Sequence, residues 1–190
     1  MNDPFFFGYG SLVNTATHAF GQVRPARARG WRRAWRHSDL RPVSFLTAVP
    51  DDLCVIDGVI AAVPGGDWAA LDAREHAYDR LAASAQIEHD APQALDIATY
   101  AIPADRHRAP SAANPILMSY LECVLQGYLH RYGPEGVTGF IATTDGWEAP
   151  ILDDRAVPRY PRHQVLTPDE RALFRDHLTD AGARILMSLS

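Results

Sequence analysis

Segments with strand periodicity crowd between residues 4 and 63, whereas the strongest helical periodicity lies beyond residue 115. The apolar run Pro4 to Tyr9, stopped by Gly8 and Gly10, reads as a buried first strand entering a tight loop. Ala28 to Arg36 and Ser44 to Val49 are further strands. Leu53 to Val63, rich in Val and Ile and interrupted by Asp57-Gly58, reads as one long bulged strand in preference to a hairpin. Gly65-Gly66-Asp67 supplies a turn and an N-cap for a helix from Trp68 to about Leu81. Leu95 to Ile102 alternates as another strand. Pro115 to Tyr132 carries Ile116, Tyr120, Val124 and Tyr128 at helical spacing before a Gly133-Pro134 stop. Thr167-Pro168-Asp169-Glu170 is a capping box that opens a last helix to about Met187. Without a steady β-α-β-α alternation a doubly wound sheet is disfavoured, and the expected class is α+β with a curled mixed sheet. With 190 residues and neither repeat nor linker, a single domain over 1–190 is expected.

All 18 basic residues are arginine, so Schiff-base chemistry and a phosphate-loop lysine drop out. Gly8-x-Gly10 lacks the third glycine of the dinucleotide fingerprint, and the eight histidines form no H-E-x-x-H pattern, so neither a cofactor nor a metal is expected. Cys54 and Cys123 are too few for a disulfide framework. Pairing Cys123 with His130 as nucleophile and base fits poorly, because seven residues set them two turns apart. The N-terminus has no basic n-region and no apolar stretch reaches membrane-spanning length, so no membrane association and a cytoplasmic location are expected.

The net charge of −5 gives no general pull toward nucleic acid. Seven arginines (Arg24, Arg27, Arg29, Arg32, Arg33, Arg36, Arg41) nevertheless crowd around Trp31 and Trp35. An RNA-binding patch is one reading. The preferred one is a strand with arginines outward, Trp inward and acidic neighbours, and hence no nucleic-acid partner.

Two features carry chemistry. In Phe5-Phe6-Phe7-Gly8-Tyr9-Gly10-Ser11-Leu12 the glycines let the backbone turn sharply and expose consecutive amides, although an ordinary strand turn has the same composition. Ser11 is no nucleophile elbow, since Val13 stands where that motif needs glycine. The second feature is Glu75. Trp68, Leu71, Glu75, Tyr78 and Ala82 are spaced 3, 4, 3 and 4, which sets a carboxylate on the stripe a helix here would bury. Desolvation raises a carboxyl pKa toward the range where one group takes and returns a proton, whereas an ion pair to an arginine, Arg80 included, explains the residue equally well.

Together, Phe7-Gly8-Tyr9-Gly10-Ser11-Leu12 near the N-terminus and Glu75-His76-Ala77-Tyr78-Asp79-Arg80 downstream resemble the gamma-glutamylcyclotransferase family, whose pattern is Y-G-S-[NL] followed by E-x-x-Y-x-R. The resemblance spans residues 5 to 102. Beyond them, Tyr120 to Tyr128 and Thr143 to Trp147 resemble a bacterial subgroup and carry no known role. The resemblance implies a small mixed β-barrel flanked by helices. It also implies conversion of a γ-glutamyl amide to 5-oxoproline and a free amine, with the substrate's own α-amino group as nucleophile. Glu75 would be the acid/base, the amides of Gly10, Ser11 and Leu12 would bind the carboxylate or polarise the carbonyl, and Tyr9 and Tyr78 would line the pocket. Helical geometry turns Arg80 away from Tyr78, which makes Tyr78 the better pocket residue of the two. Leu12 replaces the asparagine of the best-studied branch; the Leu form also occurs in relatives acting on glutathione. The partner expected is thus a small γ-glutamyl compound, and the alternative is a non-catalytic module of the same fold that binds such a ligand.

Overall fold

The computed structural model describes residues 3–39, 42–111 and 113–187, so Arg41 lies outside the described residues. The strands are β1 (Phe5–Gly8), β2 (Arg24–Arg36), β3 (Phe45–Ala62), β4 (Asp79–Ala82), β5 (Ile87–His89), β6 (Ile97–Ala101), β7 (Ile116–Leu117), β8 (Thr144–Asp145), β9 (Ile151–Leu152) and β10 (Ile185–Leu186). The helices are α1 (Ala69–Arg74), α2 (Met118–Tyr132), α3 (Pro134–Ala142) and α4 (Pro168–Asp180). The α+β class holds. Among the described residues no helix is long and apolar enough to cross a membrane.

The main sheet runs β4-β6-β1-β3-β2-β5, with β8 also on β2, and it is mixed: β1 is parallel to β6 and antiparallel to β3. Its curl follows from chain length. Five inter-strand steps of about 4.8 Å put β4 and β5 roughly 24 Å apart in a flat sheet, but the linker 83–86 reaches at most about 18 Å. The edges must therefore approach one another. The linker bonds to both sides, Ala83 N donating to Ile97 O and Arg29 N donating to Gln86 O. The result is a barrel-like sheet, packed inside with Phe5, Phe7, Ile60 and Ile97 and covered by α2 and α3 through Leu121, Val124, Val137 and Phe140.

The segments read as Ser44–Val49 and Leu53–Val63 are one strand, β3, and Asp57-Gly58 does not interrupt it. The irregularity lies where Gly30 of β2 faces residues 51–54, because Arg29 pairs with Val55 but Trp31 with Pro50. This slip changes the inward set from Ala26 and Ala28 to Trp31 and Trp35, so both halves of β2 pack into one core. The outward arginines meet acids on or just beyond neighbouring strands: Arg24 with Asp90, Arg27 with Asp57, Arg29 with Glu88, and Arg32 with Asp51 and Asp145.

Three helix expectations need correction. The helix expected from Trp68 to Leu81 ends at Arg74, because residues 79–82 instead pair with β6, Asp79 facing Ala101 and Ala82 facing Ala98. Asp67 accepts from Ala69 N at 3.1 Å, although the cap position itself is Trp68. Gly133-Pro134 ends α2 but immediately starts α3, with Pro134 in the first turn where its missing N–H costs nothing. The capping box at Thr167 and Glu170 forms as expected, yet α4 stops at Asp180 because residues 185–186 join β9.

A close approach at Gly58 locks the glycine loop to the sheet. A Cβ there would stand 2.4 Å from Gly8 O and 2.5 Å from the Phe7 ring. Neither a strand carbonyl nor a buried ring can yield, so Gly58→Ala should cost about 3 kcal/mol by overpacking. The urea midpoint should fall with an unchanged slope, and an unshifted midpoint would show that this contact relaxes freely.

Candidate active site

Beyond β1 the backbone turns through Tyr9 and Gly10 into two short 3-10 turns, Ser11–Val13 and Thr15–Thr17. Tyr9 holds the turn from both ends of the residue. Its hydroxyl donates to Tyr100 O at 2.6 Å and accepts from Ala48 N at 3.0 Å, while its carbonyl accepts from Arg33 Nε at 3.2 Å and from Tyr128 Oη at 2.8 Å. Farther on, Asn14 Nδ2 donates to Cys123 O and Gln126 Oε1, which fastens the loop to α2.

Val13 N and Asn14 N close the 3-10 turn onto Gly10 O and Ser11 O. The amides of Gly10, Ser11 and Leu12 have no acceptor among the described residues. All three residues line a small chamber of roughly 30 Å³, with Tyr9, Tyr78, Tyr100, Tyr120 and Glu75. Gly10 is needed for its shape, since a Cβ there would meet Tyr120 Oη at 2.9 Å.

Glu75 is the first residue past α1, with φ −97° and ψ 27°, and its peptide closes the helix by donating to Leu71 O. It therefore does not sit on a continuous helical stripe. A tight turn, Tyr78 N donating to Glu75 O, keeps Glu75 and Tyr78 on one side all the same, and Tyr78 Oη donates to Leu46 O at 2.9 Å. The partner of Glu75 is not Arg80 but Arg74, whose Nε lies 3.2 Å from the carboxylate, with the two side chains only 8% and 16% exposed. Arg74 also donates to Thr17 O, Thr17 Oγ1 and Ser11 Oγ. One guanidinium thus links the acid to the glycine loop. It also takes up the Ser11 hydroxyl, which is a loop anchor here. Arg80 lies away from the chamber, paired with Asp72 and stacked 4.5 Å over Trp68.

A larger chamber of roughly 160 Å³ adjoins the small one, and Ser11, Leu46, Glu75, Tyr78 and Tyr120 border both. The far wall is Tyr160, Pro161 and Arg162. That segment is pinned by buried Asp154, which accepts from Ser119 N at 2.8 Å, Ser119 Oγ at 2.6 Å and Arg159 N at 2.9 Å. Its carboxylate sits at the start of α2, where the helix dipole favours negative charge. Tyr160 packs edge-on against Tyr120, and burial pushes both phenols up, so each stays a hydroxyl donor at neutral pH.

Tyr9, Gly10, Ser11, Leu12, Glu75 and Tyr78, the expected site residues, thus border one cavity. The sequence reading missed Arg74, Tyr120, Tyr160 and Arg162. Tyr120 carried a signal, a hydroxyl on the Ile116-Tyr120-Val124-Tyr128 stripe, whereas Tyr160 and Arg162 lie in an aperiodic loop that offers none. The Cys123 thiol is wholly buried and pushed up to about 12 by that burial, and His130 pairs with Glu170, so Cys123 and His130 form no dyad.

No family model matches the chain and no curated protein matches it in sequence. Solved structures do. A structure named gamma-glutamyl cyclotransferase superposes with a TM-score of 0.59 at 12% identity, covering 92% of this chain and 99% of its own. An uncharacterized protein from Homo sapiens gives the same values. YkqA from Bacillus subtilis superposes with a TM-score of 0.59 at 17% identity over 77% of this chain, which spans only 57% of the YkqA chain. At these identities the likeness is one of fold, and it agrees with the N-terminal motifs: the chain has the gamma-glutamylcyclotransferase-like fold.

Proposed function

We propose that the chain is a gamma-glutamylcyclotransferase that converts a γ-glutamyl amide to 5-oxoproline and a free amine. The observation that carries this reading is the convergence of a half-buried carboxylate, Glu75, and the amides of Gly10, Ser11 and Leu12, which have no acceptor among the described residues, on one chamber. Glu75 takes a proton from the substrate's α-ammonium, and the freed amine attacks the side-chain carbonyl carbon. The tetrahedral oxyanion meets the amides, which are fixed in advance because Tyr9, Asn14 and Ser11 are tied down. Protonated Glu75 then gives its proton to the departing nitrogen, the C–N bond breaks, and the ring nitrogen, which still carries two hydrogens after its attack, gives up the second to the re-ionised carboxylate, leaving the neutral five-membered lactam. Holding the substrate chain curled supplies most of the remaining advantage, and the reaction needs no protein nucleophile.

The Arg74–Glu75 pair favours a second reading, in which the carboxylate only braces the loop and the cavity binds a γ-glutamyl ligand without turning it over. A panel of γ-glutamyl amino acids, peptides and amines, read out as 5-oxoproline, separates the two. Release from at least one compound is the expected result; saturable binding across the panel without release supports the binding module.

A further inference from the structure

We propose that His18 is a positioning residue for the glycine loop and works only as the neutral imidazole, so that protonating this one side chain loosens the amides of Gly10, Ser11 and Leu12. The kinetic consequence rests on the cyclotransferase reading, whereas the hold of His18 on the loop does not.

Two backbone contacts fix the state of the ring. Phe20 N lies 3.2 Å from His18 Nδ1, and because a peptide N–H can only donate, Nδ1 is the bare, accepting nitrogen. The proton of the neutral ring therefore sits on Nε2, which donates to Leu12 O at 3.0 Å. That bond completes a clamp on Leu12. The peptide before Leu12 is held at Ser11 O, which accepts from Asn14 N and Thr17 Oγ1, and the peptide after it is held at Val13 N by Gly10 O and at Leu12 O by His18. With both flanking peptides tied, the Leu12 amide keeps its direction without a partner of its own.

A proton on Nδ1 breaks this arrangement. Phe20 N–H loses its acceptor and meets a second N–H, and the new charge lies half-buried against the rings of Phe6 and Phe20, with centroids 6.0 Å and 5.5 Å away. The charged group that acts on the imidazole is Arg74 of α1, bonded to the carbonyl of Thr17 next to it in the chain; Phe6 of β1 and Leu12 and Phe20 of the loop do not titrate. Burial, with a smaller push from Arg74, outweighs the Leu12 hydrogen bond and holds the imidazole below its ordinary value of 6.5. The closed loop thus binds fewer protons than an open one. Its hold is complete above about 6.5 and is lost as the pH falls toward the lowered value, by up to about tenfold per pH unit.

His18→Phe and His18→Gln separate packing from donation. Phenylalanine keeps a ring between Phe6 and Phe20 but donates nothing, whereas the glutamine Nε2 reaches the place of the imidazole Nε2 and donates without titrating. At pH 8 His18→Phe should lower kcat for 5-oxoproline release about 3- to 10-fold, the size of one neutral hydrogen bond, with KM little changed because the amides meet an oxyanion that exists only in the transition state. His18→Gln should recover most of that loss. Below pH 6 the rate of His18→Gln relative to the unsubstituted protein should rise, a ratio from which the titration of Glu75 cancels. Protection factors for the Val13 and Asn14 amides, which close the 3-10 turn, give the readout that needs no turnover. They should fall with the pH in the unsubstituted protein, be low at every pH in His18→Phe and stay level in His18→Gln. Imidazole nitrogen spectra at pH 8 should show a bare Nδ1. The opposite tautomer, unchanged protection in His18→Phe, or the same acid loss in His18→Gln each overturn the proposal. If no γ-glutamyl compound is turned over, the cyclotransferase reading fails by itself, and the protection factors still decide whether neutral His18 holds the loop.

Discussion

Glu75→Gln should lower 5-oxoproline release by at least 10²- to 10⁴-fold, the usual range for removing a positioned acid/base. The amide is nearly the same shape as the carboxylate but cannot take a proton from the substrate ammonium. The difficulty is that Glu75 also pairs with Arg74 in a largely buried setting, where losing a partner has a cost of its own. Arg74 keeps its bonds to Ser11 and Thr17, so the structural loss should stay near 1–2 kcal/mol, roughly a 2–8 °C fall in midpoint for a domain of this size. Arg74→Gln supplies the contrast. If Glu75 merely braces the loop, the two single variants and the double variant should lose release to the same extent, since each breaks the same pair. If Glu75 moves protons, Arg74→Gln should keep a measurable rate that Glu75→Gln lacks. Full turnover by folded Glu75→Gln would remove it from the mechanism.

How much of this site was legible in the sequence depends on which residues were local and which were not. The loop was readable because its information is local: an apolar run, two glycines and an exposed peptide. The pattern that marks Glu75 matches the structure only in part. Its 3-4-3-4 spacing with Leu71 and Tyr78 assumes a helix to Leu81, yet the edge of β6 captures residues 79–82 as a strand. Leu71 and Tyr78 still share a hydrophobic cluster, so the stripe foretold the face though not the element. Ladder hydrogen bonds to β6 outweigh local helix propensity, and nothing within the segment announces them.

The missed residues share one cause. Arg74 is adjacent to Glu75 in the chain, and residues one apart on a helix do not face each other, so only the end of α1 at this point lets them pair. Tyr160 and Arg162 come from a segment whose path is fixed by Asp154, a contact 35 residues away in sequence at Ser119. By contrast, the role of the Tyr120 to Tyr128 stretch becomes clear once the loop is docked on it. Tyr120 fits against Gly10, Gln126 and the carbonyl of Cys123 hold Asn14, and Tyr128 holds Tyr9.

Arg33 is where period-two reading pointed inward and the preference for outward arginines hid it. It alternates with Trp31 and Trp35 and is wholly buried, with no carboxylate partner among the described residues. Its guanidinium donates instead to Tyr9 O, Asp57 O, Thr143 Oγ1 and Tyr128 Oη, and lies about 5 Å above the rings of Tyr128 and Phe140. Arg33→Met should therefore produce two opposing effects. Removing a buried charge relieves its desolvation, which taken alone would stabilise the fold. Against this, the carbonyls of Tyr9 and Asp57 are left to share the single proton of Tyr128, so one buried acceptor goes unpaired at about 1–3 kcal/mol, and the shorter side chain leaves a void between two rings. The acceptors are fixed backbone and cannot turn to water, so the second effect should win by about 2–4 kcal/mol, lowering the midpoint by roughly 4–16 °C. Release of 5-oxoproline should fall as well, well below the unfolding temperature, because the Tyr9 carbonyl anchors the peptide that carries the Gly10 amide. Arg33→Lys, with one donor group and no fork, should recover part of the stability and less of the activity. A more stable Arg33→Met that has lost activity would mean that the buried charge is kept for the loop at the expense of the fold, while unchanged activity would show that Tyr128 alone suffices to hold Tyr9.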